Sequence, residues 1–138
     1  MSQTIWRSWK PEAVIQAVAD ELVANGEIAG KFVESDARRR LLAVRTPEWG
    51  AAYRAIIANY MLTSYVEREP KAVVIWVGVR RGEKGVQHGL WIELGTRSRT
   101  VVTKAGKKRR IAGYPAHPYL RPAVFENARE IVQLLAGK

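Results

Sequence analysis

The chain is 138 residues long, lacks cysteine and carries a formal charge of +10. That length suits one domain of radius about 14 Å, which can bury a core without disulfide or metal. A composition 47% hydrophobic and 26% charged excludes a disordered chain. The missing cysteines exclude thiol catalysis, thiolate metal sites and disulfide frameworks, and point to a cytoplasmic origin.

From the N-terminus, Trp6, Arg7, Trp9 and Lys10 contain no apolar signal core. The two tryptophans are candidate anchors on a neighbouring subunit. Pro11 and Glu12 suit the first turn of a helix. Val14, Ala17, Val18 and Leu22 recur at helical spacing, and Asn25-Gly26 reads as a stop. A second helical stretch runs from Glu27 to about Val44, with Val33, Ala37, Leu41 and Val44 on one stripe. Gly26 and Gly30 leave two helices or one kinked helix open. Arg38, Arg39 and Arg40 follow Glu34 and Asp36 and read as a balanced, solvated face. Thr46-Pro47 closes the helix.

Residues 48–58 are ambiguous between a short helix and a strand. Residues 59–69 are rich in strand formers, Glu69-Pro70-Lys71 is a turn, and residues 72–80 read as a buried strand. Together they predict an antiparallel hairpin. Residues 72–79, the longest apolar run, fall far short of a membrane span. After a polar turn at 81–85, a third strand is expected over 87–94, ended by Gly95-Thr96. Trp76 and Trp91 read as core. Residues 97–113 form an excursion: strand-like 99–103, a turn at 104–107, and a return at 108–112. This predicts a basic β-ribbon, or a loop disordered when unbound. Three prolines make residues 114–122 extended and rigid. A last helix over 123–136 carries Val124, Ala128, Ile131 and Leu135 on one side, and Gly137 caps it.

The charge is unevenly placed. Residues 1–69 hold nine basic and nine acidic side chains, whereas residues 70–138 hold fourteen and four. No acid lies between Glu93 and Glu126. That window holds Arg97, Arg99, Lys104, Lys107, Lys108, Arg109, Arg110 and Arg121. Such density attracts phosphate backbones without reading sequence, and its binding weakens steeply with salt. No recognition helix, zinc finger or RNA-binding motif accompanies it. The alternatives are a non-specific nucleic-acid contact, a solvated loop, or a loop docked on an acidic protein.

Catalytic signals are sparse. His88 and His117 admit a small-ribonuclease reading as an acid–base pair, but neither has a motif around it. No spacing of histidines and carboxylates argues for a metal. Glu93, at the end of its apolar segment, lacks a partner carboxylate nearby. Its bland reading is a salt bridge to Arg97 or Arg121.

Two segments carry a family resemblance. Gly89-Leu90-Trp91-Ile92-Glu93-Leu94-Gly95-Thr96 resembles the "(aromatic)-x-E-(apolar)-G-T" strand end of phage neck, or tail-completion, proteins. These are small proteins of long-tailed phages. Pro115-Ala116-His117-Pro118-Tyr119-Leu120-Arg121-Pro122-Ala123 resembles that family's C-terminal "P-A-x-P-(aromatic)-L-R-P-A" run. Both occur in the family's order with a variable loop between them, and the match covers residues 88–130.

The resemblance implies an α+β subunit with N-terminal helices, a small mainly antiparallel sheet, a protruding basic loop and a C-terminal helix. It implies a ring of six or twelve copies in the virion, at the head–tail junction. That ring would join the head connector to the tail tube or terminator around the DNA channel, with no enzymatic role, no cofactor and no membrane. Glu93, Gly95, Thr96, Pro118, Tyr119, Leu120, Arg121 and Pro122 become structural or inter-subunit groups. Gly95 would permit a sharp exit from the strand. Tyr119 and Leu120 would fill a pocket on the sheet or on a neighbour. The cations from Arg97 to Arg110 would face the DNA lumen or an acidic connector surface.

Overall fold

In the computed structural model, which describes residues 10–44, 54–55, 57–80 and 88–138, the first element is one continuous helix of 33 residues, α1 (Pro11–Ala43). Pro11 occupies its first turn, where the missing N–H costs nothing. The helix runs on through Asn25-Gly26 without a stop. Gly26 and Gly30 are buried on the face that meets a β-hairpin. A Cβ added at Gly26 would touch Ile75 and Val66 at 3.4–3.5 Å, and one at Gly30 would sit 3.2 Å from Ile75 Cγ2. The glycines are there for close approach of helix to sheet, not for termination. The expected stop at Thr46-Pro47, Trp6, Trp9, most of the ambiguous 48–58 stretch and the 81–85 turn lie outside the described residues.

The hairpin consists of β1 (Leu62–Glu69) and β2 (Ala72–Val79), antiparallel and joined through Pro70-Lys71. It is preceded by a π-helical turn over Ile57–Met61 rather than by strand. Arg38 Nε donates to the Ala58 carbonyl at 2.9 Å and ties that turn to α1. Strand β1 runs antiparallel to α1: Ser64 contacts Glu34, Val66 lies by Gly26, and Arg68 pairs with Asp20 at 2.7 Å. Period-two alternation turns Leu62, Ser64 and Val66 toward α1 and leaves Tyr65 outside. Trp76, opposite Tyr65, is therefore on the outer face. It is half exposed, stacks on Tyr65 and donates to Glu67 at 3.0 Å. The core expected at Trp76 is corrected by that register.

Residues 88–94 form a short helix, α2 (His88–Leu94), not the third strand their composition suggests. Gly89 explains the placement. A Cβ there would lie 2.6 Å from Val79 Cγ1 and 3.0 Å from the Tyr119 hydroxyl, so α2 seats against the end of β2. The basic excursion is a two-stranded ribbon, β3 (Arg99–Val102) paired with β4 (Lys108–Ile111), and its outer residues 102–110 are all exposed. The extended segment ends at Tyr119. Pro122 lies inside α3 (Leu120–Phe125), not in an arm, which its first-turn position permits. The expected last helix is two, because Glu126-Asn127 separates α3 from α4 (Ala128–Leu135); Gly137 follows with φ 75°. Asn127 donates to Asp36 at 2.8 Å and Asn25 to the Leu135 carbonyl at 3.2 Å, so α4 lies antiparallel along α1.

The architecture is α+β, with α1 sandwiched between the hairpin and the C-terminal helices. The core gathers at the C-terminal half of α1: Val33, Ala37 and Leu41 meet Ile57, Leu62, Ile92, Tyr119 and Ala123. Trp91 is half-buried against its edge. The predicted stripe of Val14, Val18 and Leu22 is not part of it. These residues are exposed, as is Ile15, because the hairpin and α4 cover α1 only from about residue 20 onward.

Candidate functional site

The two motif segments meet at one carboxylate. Glu93 is buried, and its Oε2 accepts from the backbone N–H groups of Tyr119 at 2.7 Å and Leu120 at 2.8 Å. Its Oε1 accepts from the Arg121 N–H at 3.1 Å. These are the donors that a helix start leaves without intrahelical partners. A side chain from 26 residues away thus caps α3, with charge-assisted bonds at its positive end. The expected ion pair with Arg121 is present, but it is the lesser contact. The Arg121 guanidinium is 63% exposed and reaches Glu93 only at 3.9 Å, so the backbone, not the side chain, satisfies the acid.

Tyr119 fills the pocket behind this junction within the same chain. Its side chain is fully buried and its hydroxyl donates to the Gly89 carbonyl at 2.9 Å. Burial and then the nearby Glu93 charge push its ionisation well above the ordinary tyrosine range. The hydroxyl therefore stays a donor at any physiological pH. Gly95 ends α2 with φ +73°, its N–H bonded to the Trp91 carbonyl at 2.8 Å. A Cβ would strike the Ala116 nitrogen and Tyr114 oxygen at 2.8 Å. The sharp exit expected of Gly95 is real, but it leaves a helix rather than a strand. Thr96 then bridges Tyr114 through paired backbone bonds of 2.9 and 3.1 Å and closes the base of the ribbon. Leu120 is half-buried against the core, whereas Pro118 is exposed.

A cavity of about 350 Å³ opens at that base, lined by His88, Trp91, Arg97, Arg99, Ile111 and Tyr114, with Thr96 and Ala112. His88 packs edge-on against Trp91 at 5.0 Å, and burial lowers its pKa. His117 does not line this cavity. Its backbone N–H donates to Ile92 and its Nε2 is buried without a hydrogen-bond partner. The structure therefore separates the two histidines into different surroundings. Among the described residues no ion pair involves Arg97, Arg99, Lys104, Lys107, Lys108, Arg109 or Arg110. No group of three His, Cys, Asp or Glu able to hold a metal occurs among them, and no described helix is long and apolar enough to cross a membrane.

The basic run on α1 is more structural than a solvated face. Arg39 and Arg40 both pair with Asp36, Arg40 also reaches Glu126 at 2.5 Å, and Arg38 holds Glu34 at 2.9 Å. Glu34 is buried and also accepts from Ser64 at 2.7 Å. Burial opposes its ionisation, but bonds from Ser64, Lys31 and Arg38 outweigh that and lower its pKa. The i,i+4 spacing of Glu34 and Arg38 was the available signal for this pair; its burial under Ser64 was not. The aromatic cavity went unseen as well. Trp91 and Tyr114 flank the excursion on its two sides, and the Thr96–Tyr114 bridge and the His117–Ile92 bond bring them together.

Comparison with protein families, with curated proteins and with solved structures finds no match for this chain.

Proposed function

We propose that the chain is a structural subunit of a tailed-phage neck, assembling as a ring that joins the head connector to the tail around the DNA channel. The observation that carries this reading is the junction at Glu93. The two segments resembling the neck family, far apart in sequence, are locked together by three bonds from backbone N–H groups to the Glu93 carboxylate into one unit with Tyr119 at its centre. That gives the acid, the glycine and the aromatic-Leu-Arg-Pro run a shared structural purpose, which is what the resemblance expects.

Surface chemistry supports assembly. Val14, Ile15 and Val18 line an apolar groove of about 680 Å³ between the N-terminal part of α1 and the hairpin tip. Phe125 is 75% exposed near the other end of α1, about 35 Å away along the helix, and Val132, 64% exposed, lies level with the middle of α1. The groove is contiguous apolar surface of the kind that marks interaction sites. Two different patches at opposite ends suit head-to-tail contacts, which close into rings when the rotation permits.

The test is made on particles. Mass spectrometry and electron microscopy of purified virions encoding this chain should find it at the head–tail junction. Its absence from assembled particles, or normal joining of heads and tails after its deletion, would reject the proposal.

A further inference from the structure

We infer that the cavity at the base of the ribbon and one face of the ribbon form a single site for an unpaired nucleic-acid strand, with phosphates on Arg97, Arg99 and Arg109 and one base against Trp91 and Tyr114. The pairing register makes the case. Arg99 faces Ile111 across the ribbon, and both line the cavity. The next pair on the same face, one period of about 6.8 Å further out, is Val101 with Arg109. Cavity and cations are therefore continuous. Thr100, Arg110, Val102 and Lys108 lie on the opposite face.

The chemistry of the two halves matches a nucleotide strand. None of the three arginines is neutralised by an acid among the described residues, so the phosphate-binding capacity is unspent. A positive track beside aromatic side chains is the usual construction of single-strand sites, because every base offers a π-face. The cavity lies at the small end of the range for ligand pockets, a size for one base rather than for a base pair. Tyr114, 37% exposed, lines it. An acidic peptide would use the arginines but would have no use for the aromatic walls, and so is the less favoured occupant. The inference goes beyond the ring reading and does not rest on it.

The experiment uses the full chain and a dye-labelled dT20 oligonucleotide, read by fluorescence anisotropy at about 50 mM salt, with thermal melts to verify folding of each variant. Two double variants carry the same charge change on opposite faces: Arg99→Gln with Arg109→Gln, and Lys108→Gln with Arg110→Gln. The first pair should weaken binding at least tenfold and the second less than threefold. Salt dependence should have a slope of about −2 in log K against log salt, for three phosphates on a single strand. Tyr114→Ser should weaken dT20 about tenfold and leave a 20-base-pair duplex unaffected. Equal losses from the two double variants would mean diffuse attraction and overturn the site. So would absence of dT20 binding, or displacement of dT20 by poly-glutamate at equal charge concentration. Ring assembly, followed by light scattering on the same samples, reports separately on the neck reading.

Discussion

At the residue scale, stability turns on two carboxylates that do different work. Glu93 satisfies three backbone donors in a buried site, so removing its charge leaves those donors facing an amide. Glu93→Gln should cost about 2 kcal/mol or more and lower the melting temperature by about 5–10 °C. Arg121→Ala should cost less than about 0.5 kcal/mol, because its guanidinium is mostly solvated. Equal effects of the two would restore the side-chain salt bridge as the main contact. Asp36 works through side chains. Burial opposes its ionisation, but bonds from Arg40, Arg39 and Asn127 and the charge of Arg40 hold its pKa at about 2, below the ordinary 3.8. A depressed carboxylate contributes stability above its unfolded pKa and loses it as pH falls through the folded one. The contribution, about 2 kcal/mol, is therefore complete above about pH 5 and fades between pH 4 and 2. Urea denaturation at pH 7, 4 and 2.5 should show Asp36→Asn less stable by about that amount at pH 7, and by only about a third of it at the lowest pH. A constant difference across the series would count against it.

At the element scale, α1 is set by two glycines with different amounts of room. A Cβ at Gly26 meets Ile75 and Val66 at ordinary contact distance, so Gly26→Ala gains helix propensity without a clash. It should raise stability by up to about 1 kcal/mol. Gly30 is tighter, and Gly30→Leu would have to lift the hairpin off the helix. It should cost about 3 kcal/mol or more, in the range of overpacked cores. Thermal melts of the two variants check the contrast; a stabilised Gly30→Leu would mean the hairpin is not seated there. The hairpin, the ribbon and both turns were legible in sequence, because strand formers bounded by Pro-Lys or by Ala-Gly leave few other solutions. The α2 segment was not. Seven residues of mixed propensity carry too little local preference, and packing of Gly89 on Val79 decides the outcome.

At the scale of the whole molecule, the +10 charge and the apolar groove belong to different surfaces. In the neck reading, the groove and the exposed Phe125 are where subunits meet, while the ribbon is left for the channel or a neighbouring layer. Ile15→Glu should then abolish the assembled species in size-exclusion chromatography with light scattering, while leaving the monomer's melting temperature within about 2 °C. Ile15 is 68% exposed, so the substitution removes little intramolecular packing. An unchanged assembly would show that this groove is not the contact.

What the sequence determined by itself was local. It held the α+β class, the antiparallel hairpin and the basic ribbon. These follow from turn chemistry, periodicity and charge, all properties of neighbouring residues. Only the tertiary structure decided the rest. It made one helix of two candidate ones, because the glycines lie under a sheet rather than at an end. It made Glu93, besides a partner of Arg121, the cap of a helix start 26 residues away. It also gathered Trp91, Arg99 and Tyr114 around one cavity. Each of these depends on which distant backbone arrives beside a side chain, and a one-dimensional pattern does not contain that distance.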